Sequence, residues 1–496
     1  MKRILLHIML MLAVIPMMAQ RHGTGLILDD DIADKIPQKT RLLTRSYTNL
    51  PKSWSLKQYC PRPDDQGPYE TCVGWAAAYA ARTIAEAVRQ GWTDVNTITN
   101  ESFAPLFVYG HIKYSDTKNC NRGTNIEKAM KLMKNTGVVK KRSLDAMCVE
   151  SVKSSLNSEA AKYKIDDYFL LFGPQHTYET AVNTTKKAIS ENCPVVIGFY
   201  TQPSFFQKGF ECWKNLSEKT NGSHAMCVVG YDDNKFGGAF LLLNSWGTQW
   251  GKDGYAWVTY KDYSKYTHDA LELYLKPVAK TTTKTTTTTT TTKPTTPTKP
   301  TTPTKPTTPT QPTTTTVTYN KFAGQLGLKL ATGEQLKAAL GTTSNGLKRY
   351  RITESLPSGT RYRILICNNQ PGYVYVFSSD LQNNAAVNFP ADSKTSAALT
   401  YKNNAIALPS ETSWLELDDT RGTDYLCVLF SKKQVDVTSL LNHLQNGKGT
   451  FYEKVQSGFS KYLVAQSDIK FSTSTVSFTA TSTADVVPLL IEISHR

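Results

Sequence analysis

"DQGPYETCVGWAAAYA", residues 64–79, places one cysteine, Cys72, between a glycine-containing turn and an alanine-rich run. The run continues as "RTIAEAVRQ" and stops at Gly91, the pattern of a helix built from good helix formers and ended by glycine. Cys72 then falls in the first turn, where unpaired backbone N–H groups and the positive end of the helix dipole favour thiolate over thiol. On this stretch alone three roles stay open: a buried structural thiol, half of a disulfide, or a nucleophile.

Two later stretches supply what a nucleophile would need. His224 lies in "NGSHAMCVVGYDD", just before an apolar strand, and Asn244 lies in "LLLNSWGTQWGKDGYAWV", at the end of another. A thiolate needs an imidazole to hold the ion pair and later to protonate a leaving amine. The imidazole needs a partner that fixes its tautomer. Strand ends in the second half of a domain can present both groups to a helix start in the first half.

"DQGPYETC", "GSHAMCVVGYDD" and "LLLNSWGTQWGKDGY" resemble, in order and spacing, the signature blocks of papain-like cysteine peptidases. "CNRG" at 120–123 resembles that family's substrate-binding loop, and "LPKSWSLKQYCP" resembles the start of the mature enzyme, with Trp54 at the usual tryptophan position. The resemblance runs from about Leu50 to about Pro277. It implies a two-lobed α+β fold, with Cys72 as nucleophile and His224 as base and acid. Asn244 would orient the imidazole, and the Gln66 amide with the Cys72 backbone N–H would form the oxyanion hole. It further implies that Trp246 shields the Asn–His hydrogen bond, that Trp250 lines the leaving-group side of the cleft, and that Gly123 pairs with the substrate backbone. Positions just before the histidine, here Gly222 and Ser223, would line the pocket for the residue two before the scissile bond. Their small size leaves room for an apolar or aromatic side chain.

The chain departs from the family at several points. Tyr69 stands where the family has the cysteine that pairs with the one matching Cys120, so Cys120 must be free or paired elsewhere. Val73 replaces the tryptophan that usually follows the nucleophile. The segment before Leu50 is shorter than the family's inhibitory pro-domain. It either performs a shorter version of that task or leaves activity unrestrained. The insert "YTQPSFFQKGFECWKNLSEKT" at 200–220 reads as a surface loop with a small core of its own rather than as an overhang of the cleft.

The rest of the chain sets the context. Lys2 and Arg3 precede an apolar run, Ile4 to Met18, that ends near Ala19; this is built like a secretory signal peptide and is too short to span a bilayer. Export and a periplasmic, cell-surface or extracellular location are expected, and nine cysteines can then form disulfides. A formal charge of +16 is scattered rather than interleaved with aromatic residues, so nucleic acid is not expected as a partner. The threonine, proline and lysine tract with three "TTPT" repeats has nothing apolar to bury and reads as a spacer. The expected organisation is a signal peptide at 1–19, a strap or short pro-segment at 20–49, a peptidase domain at 50–278, the linker at 279–316 and an accessory domain at 317–496.

The last region alternates apolar and polar residues in short runs, the pattern of a β-sandwich, with a helix near "VTSLLNHLQNG". "PGYVYVFSSD", "IALP" and "GTDYLCVLFS" resemble an uncharacterised all-β domain that bacteria append to exported proteins. Contact with the cell envelope or glycans through this domain is the expected role, and Cys367 and Cys427 read as a structural disulfide or two buried thiols. The whole reads as a monomeric, exported bacterial cysteine endopeptidase acting on peptides or proteins, with no metal and no cofactor. The alternatives are an inactive scaffold serving as a surface binding or adhesion protein, and an acyl transferase using the same thioester.

Overall fold

The computed structural model describes residues 22–33, 35–277, 320–380 and 384–496. The expected signal peptide and linker lie outside them. The described chain divides into two units: residues 22–38 with 49–275, and residues 39–48 with the C-terminal region.

The first unit is α+β. Its sheet has strands β1 (Ser53–Ser55), β2 (Asp167–Phe172), β3 (Val195–Thr201), β4 (Gly222–Asp232), β5 (Ala239–Leu243), β6 (Tyr255–Thr259) and β7 (Thr267–Tyr274), in the order β2-β7-β3-β4-β5-β6 with β1 on β4. All pairs are antiparallel. β3 to β5 are almost wholly buried, which is why their sequences are continuous apolar runs rather than alternating ones.

Helix α1 begins as Cys72–Gly74, widens to π geometry over Trp75–Arg82 and returns to α over Thr83–Gln90. Its alanines let it pass through the core: every side chain from Cys72 to Ile84 is buried. Gly91 stops it in a left-handed conformation, φ 73°, that a side chain would strain. Gly74 is required for another reason, because a Cβ there would meet the Pro105 carbonyl oxygen at 2.3 Å. Helices α2 (Pro105–Ile112), α3 (Ile126–Asn135), α4 (Tyr178–Ser190) and α5 (Tyr260–Tyr266) complete the unit. Asn125 caps α3 by accepting from the Lys128 N–H.

Cys120 is paired with Cys148. Tyr69, where the family has its usual cysteine, packs instead against the cluster of Trp75, Tyr79, Leu106, Tyr109 and Cys120. The two loops stay joined through the backbone, with the Glu70 N–H donating to the Cys120 carbonyl at 2.9 Å. A bond closing 28 residues of chain contributes about 2–4 kcal/mol in an ordinary loop. Cys148→Ser is therefore expected to lower unfolding free energy by about that amount under oxidising conditions, and by far less in dithiothreitol; denaturant titration checks both.

The second unit is a β-sandwich with helices α6 (Val437–Asn446) and α7 (Phe451–Phe459) at one side. One sheet contains β9 (Ala338–Thr342), β10 (Lys348–Leu356), β12 (Gly372–Ser379), β13 (Ala386–Phe389), β14 (Ala398–Leu399), β17 (Gly422–Ser431) and β20 (Val486–His495). The other contains β8 (Asn320–Leu330), β11 (Arg361–Asn368), β15 (Asn404–Leu408), β16 (Leu415–Glu416), β18 (Ile469–Phe471) and β19 (Val476–Ser482). β11 shows the logic: Tyr362, Ile364 and Ile366 face the core, while Arg363, Leu365 and Cys367 face outward. Cys367 and Cys427 are both free thiols. Among the described residues no helix is long and apolar enough to cross a membrane, and no cluster of His, Cys, Asp and Glu could hold a metal ion.

Candidate active site

The start of α1 meets β4 where that strand becomes buried, at His224 and Ala225. Cys72 is fully buried, and its thiol lies in hydrogen-bonding reach of the Ala225 backbone amide, the residue after His224. His224 Nε2 lies 2.7 Å from Asn244 Oδ1. The Ser245 N–H also donates to that oxygen at 2.8 Å, which fixes the amide orientation. Nε2 therefore carries the imidazole proton, and Nδ1, with no hydrogen-bond partner, is the free base of the neutral ring.

Trp246 closes this bond off from water, its ring 4.4 Å from that of His224 and 1% exposed. Trp250 stands edge-on to Trp246 and is itself covered; its indole N–H donates to the Phe205 carbonyl at 2.8 Å. It supports Trp246 and presents no open face. The 200–220 insert does build a small core, with Phe205 and Trp213 packed on Phe199. That core is shared with the site, since Phe205 and Phe206 also lie on Trp246.

Gln66 is fully buried and held on three sides. Its backbone N–H donates to the Ser245 carbonyl at 2.8 Å, its Oε1 accepts from Ser245 Oγ at 2.6 Å, and its Nε2 donates to the Tyr69 carbonyl at 2.7 Å. The other Nε2 proton points at the carbonyl of Gly23, 3.1 Å away.

Gly23 belongs to a strap, residues 22–28, laid along the cleft. His22 stacks on Trp246 at 5.3 Å, with Nδ1 3.6 Å from Asp65. The Gly25 carbonyl accepts from the Thr124 N–H at 2.9 Å, and the Ile27 N–H donates to the Thr124 carbonyl at 2.8 Å. Across the cleft Ser223 Oγ donates to the Leu26 carbonyl at 2.7 Å. The strap pairs with Thr124, the neighbour of the Gly123 expected to pair with substrate backbone. Thr124 supplies both hydrogen bonds, and Gly123 supplies space, because a Cβ there would lie 2.1 Å from the Gly25 carbonyl oxygen.

Leu26 and Leu28 reach the Gly198 backbone, beside Asp269. Sequence reasoning expected a strap or short pro-segment at 20–49 but missed its seat in the cleft, and with it Thr124, Gly198 and Ser245. The only local signal was a double glycine, "GTG", followed by an apolar run. These glycines are needed, since a Cβ at Gly23 or Gly25 would come within 2.1 Å of the backbone oxygen of Tyr69 or Glu70.

With the strap seated, burial dominates the electrostatics. It pushes the Cys72 thiol up to about 12, against the opposing pull of the Ala225 amide. It pushes His224 down to about 3, although the bond to Asn244 acts the other way and the nearby His22 adds to the depression. The pair is held neutral, as thiol and imidazole.

Residues 110–272 match the papain family cysteine protease domain, a span that holds Gly123, His224 and Asn244 and starts after Cys72. The first unit carries a papain family cysteine protease domain. An uncharacterised peptidase C1-like protein of Acanthamoeba polyphaga mimivirus is 25% identical over 213 residues, 40% of this chain and 64% of that protein. A cysteine protease of Blomia tropicalis is 24% identical over 223 residues, 44% of this chain and 63% of that protein. The chain thus spans just under two thirds of the length of these curated relatives. The crystal structure of xylellain, a cysteine protease from Xylella fastidiosa, is 20% identical with a TM-score of 0.42, covering 52% of this chain and 97% of that one. Residues 355–434 match a domain of unknown function, DUF4384.

Two outcomes follow from the strap geometry. Gly25→Val cannot seat against Glu70, so carboxamidomethylation of Cys72 by iodoacetamide at neutral pH should rise by about tenfold or more over the unaltered chain, as a hydrated cysteine regains its thiolate fraction.

The second concerns pH. His268 Nε2 is 2.7 Å from Asp30 on the strap side and its Nδ1 is 3.5 Å from Asp269, with the Tyr200 ring edge-on at 6.0 Å. Burial is the largest influence and disfavours the charged ring, yet the two carboxylates outweigh it and raise the histidine above its ordinary value. Its contribution to strap closure is therefore full below the ordinary histidine range and lost as pH rises through the raised value. Protection factors for residues 22–30, from hydrogen exchange corrected for intrinsic rate, should fall as pH rises above the ordinary histidine range, and this dependence should vanish in Asp30→Asn.

Proposed function

We propose that the chain is an exported cysteine endopeptidase that uses Cys72, His224, Asn244 and Gln66, and that the conformation described above is its latent form. The observation that carries the reading is the buried His224–Asn244 hydrogen bond beneath Trp246, set on the strand that meets the start of α1 at Cys72. That is the arrangement an imidazole needs in order to take a proton from a thiol with one nitrogen while its tautomer is held at the other.

Once residues 22–28 leave, water re-enters and the thiol proton passes to His224 Nδ1, giving thiolate and imidazolium. The thiolate attacks the substrate carbonyl carbon and forms a C–S bond. The oxyanion takes the hydrogen bond that Gln66 Nε2 gives to Gly23 in the closed form, together with one from the Cys72 N–H. His224 protonates the departing amine as the C–N bond breaks, leaving a thioester. It then takes a proton from water, hydroxide adds to the thioester, and the acid product leaves as the thiol is restored.

The strap's chain direction supports latency. It runs from the Gln66 donor toward Ser223 and Gly198, pairing parallel with both Thr124 and Ser223. By the family resemblance, a substrate placing its side chain in the pocket beside Ser223 runs toward Gln66, so the strap lies the opposite way. Export is supported by the basic and apolar start of the chain, and the Cys120–Cys148 bond fits an oxidising compartment.

The test is peptide hydrolysis by the chain after removal of residues 22–38, with products read by mass. Cys72→Ala should abolish cleavage and labelling by an epoxide probe. Gln66→Ala should lower kcat by about 10²–10³ while leaving Cys72 open to the probe. Absence of both cleavage and Cys72 labelling in the trimmed, folded chain would overturn the assignment, and a joined rather than a cut product would move it to acyl transfer.

A further inference from the structure

The N-terminal segment does not end its contacts at the cleft. After Pro37 and Gln38, which meet β2 at Leu170, the next ten residues belong to the second unit. There Leu43 lies on the outward face of the six-stranded sheet, over Ala405 and Ala407 of β15 and Leu365 of β11. Its N–H donates to the Ala405 carbonyl at 2.7 Å, on the edge strand of that sheet.

Polar contacts flank this seat on both sides. Thr40 Oγ1 donates to the Ser396 carbonyl at 2.7 Å, and the Lys39 ammonium sits 3.2 Å from the centre of the Tyr401 ring. On the other side Thr44 gives both its N–H and its hydroxyl to Glu411, at 2.9 and 2.8 Å. An outward sheet face would ordinarily carry polar residues, whereas this one offers Leu365, Ala405 and Ala407, and Leu43 is only 7% exposed upon them. Every contact named on the sandwich side falls within the residues that match the domain of unknown function.

We infer that this sheet face is a docking site for residues 39–48, and that the C-terminal domain thereby serves as the second anchor of the strap that covers Cys72. The inference rests on the latent reading of the cleft and adds a role for the accessory domain. A strap that has let go of Thr124 and Ser223, and then of Leu170, has about 13 free residues, from Leu26 to Lys39, while the anchor holds residues 39–48, and about 24, from Leu26 to Leu50, when the anchor is lost. Its return to the cleft then slows by about two- to threefold through loop-closure entropy alone. Any partner that takes the same sheet face would act as an activator by the same step.

The experiment uses the full chain and two variants on opposite sides of the contact, Leu43→Asp and Glu411→Ala, the second being a surface truncation that leaves the sheet core untouched. Hydrogen exchange at residues 40–48 reads the anchor, and the rate of Cys72 carboxamidomethylation reads the strap. Neither depends on turnover, so the result stands apart from whether the chain cleaves peptides. The expected result is lost protection at 40–48 in both variants, with Cys72 labelled at least about twofold faster. Protection at 40–48 that is already absent in the unaltered chain, or that is lost in the variants with no change in Cys72 labelling, would overturn the proposal.

Discussion

The hydrogen bond between His224 and Asn244 depends on strand register, and much of the first unit exists to set that register. β4 and β5 pair Cys227 with Leu243, so that the histidine three residues before one and the asparagine one residue after the other come together at the same sheet end. A one-residue slip would turn one of the two side chains to the opposite face. The register is fixed by burial on both sides, since β4 carries β1 and β3 as well as β5 and is apolar from Ala225 to Val229. The loop before α1 is then tied to the same end of β5 by the Gln66 and Ser245 bonds. One end of the sheet thus positions the imidazole, the amide bonded to it and Gln66, and α1 brings the Cys72 thiol to the same place.

The same burial that makes the geometry exact in position makes it silent in charge. A thiolate beside an imidazolium needs water or fixed dipoles to be worth its desolvation, and a seated strap removes the water. Only the Ala225 amide and the helix start remain on the side of the thiolate, and burial outweighs them. Burial of the cleft and loss of charge at Cys72 and His224 thus go together where residues 22–28 are seated. The glycines at 23 and 25 are what bring that short segment close enough, because any side chain there would hold the strap off the backbone of residues 69 and 70.

What was legible in the sequence was what local pattern encodes. The alanine run and Gly91 gave the central helix, the apolar runs after residue 190 gave the buried sheet, and alternation in "RYRILICN" gave a strand with one face inward. Cys72, His224 and Asn244 could be singled out at junctions of helix or strand with loop, while their roles and the other site residues came from the resemblance to papain-like peptidases. The partner of Cys120 was not legible, since spacing says nothing of which two cysteines come within bonding distance and Cys148 lies in a stretch without regular pattern. Nor was the pairing of the strap with Thr124, which depends on what lies in the cleft. The insert at 200–220 was read as having its own core, and the aromatic content supported that. That the same rings also back Trp246 is a fact of tertiary packing to which periodicity is blind.

The segment before Leu50 shows how a short stretch of chain is ordered without a core of its own. An independent pro-domain must first pay for its own folding, whereas a strap borrows its order from surfaces already built. Residues 22–28 take backbone partners from Thr124 and Ser223, and two leucines fill space left by Gly198; a buried leucine alone contributes about 1.5–3 kcal/mol. Residues 39–48 repeat the device on a second surface, with Leu43 on the sheet, one backbone hydrogen bond to a strand and flanking polar contacts. Each seat is small and separable, so the segment can be held firmly as a whole and still be released in steps. Two surfaces already built on the same polypeptide, one in each unit, thus give the segment both of its seats.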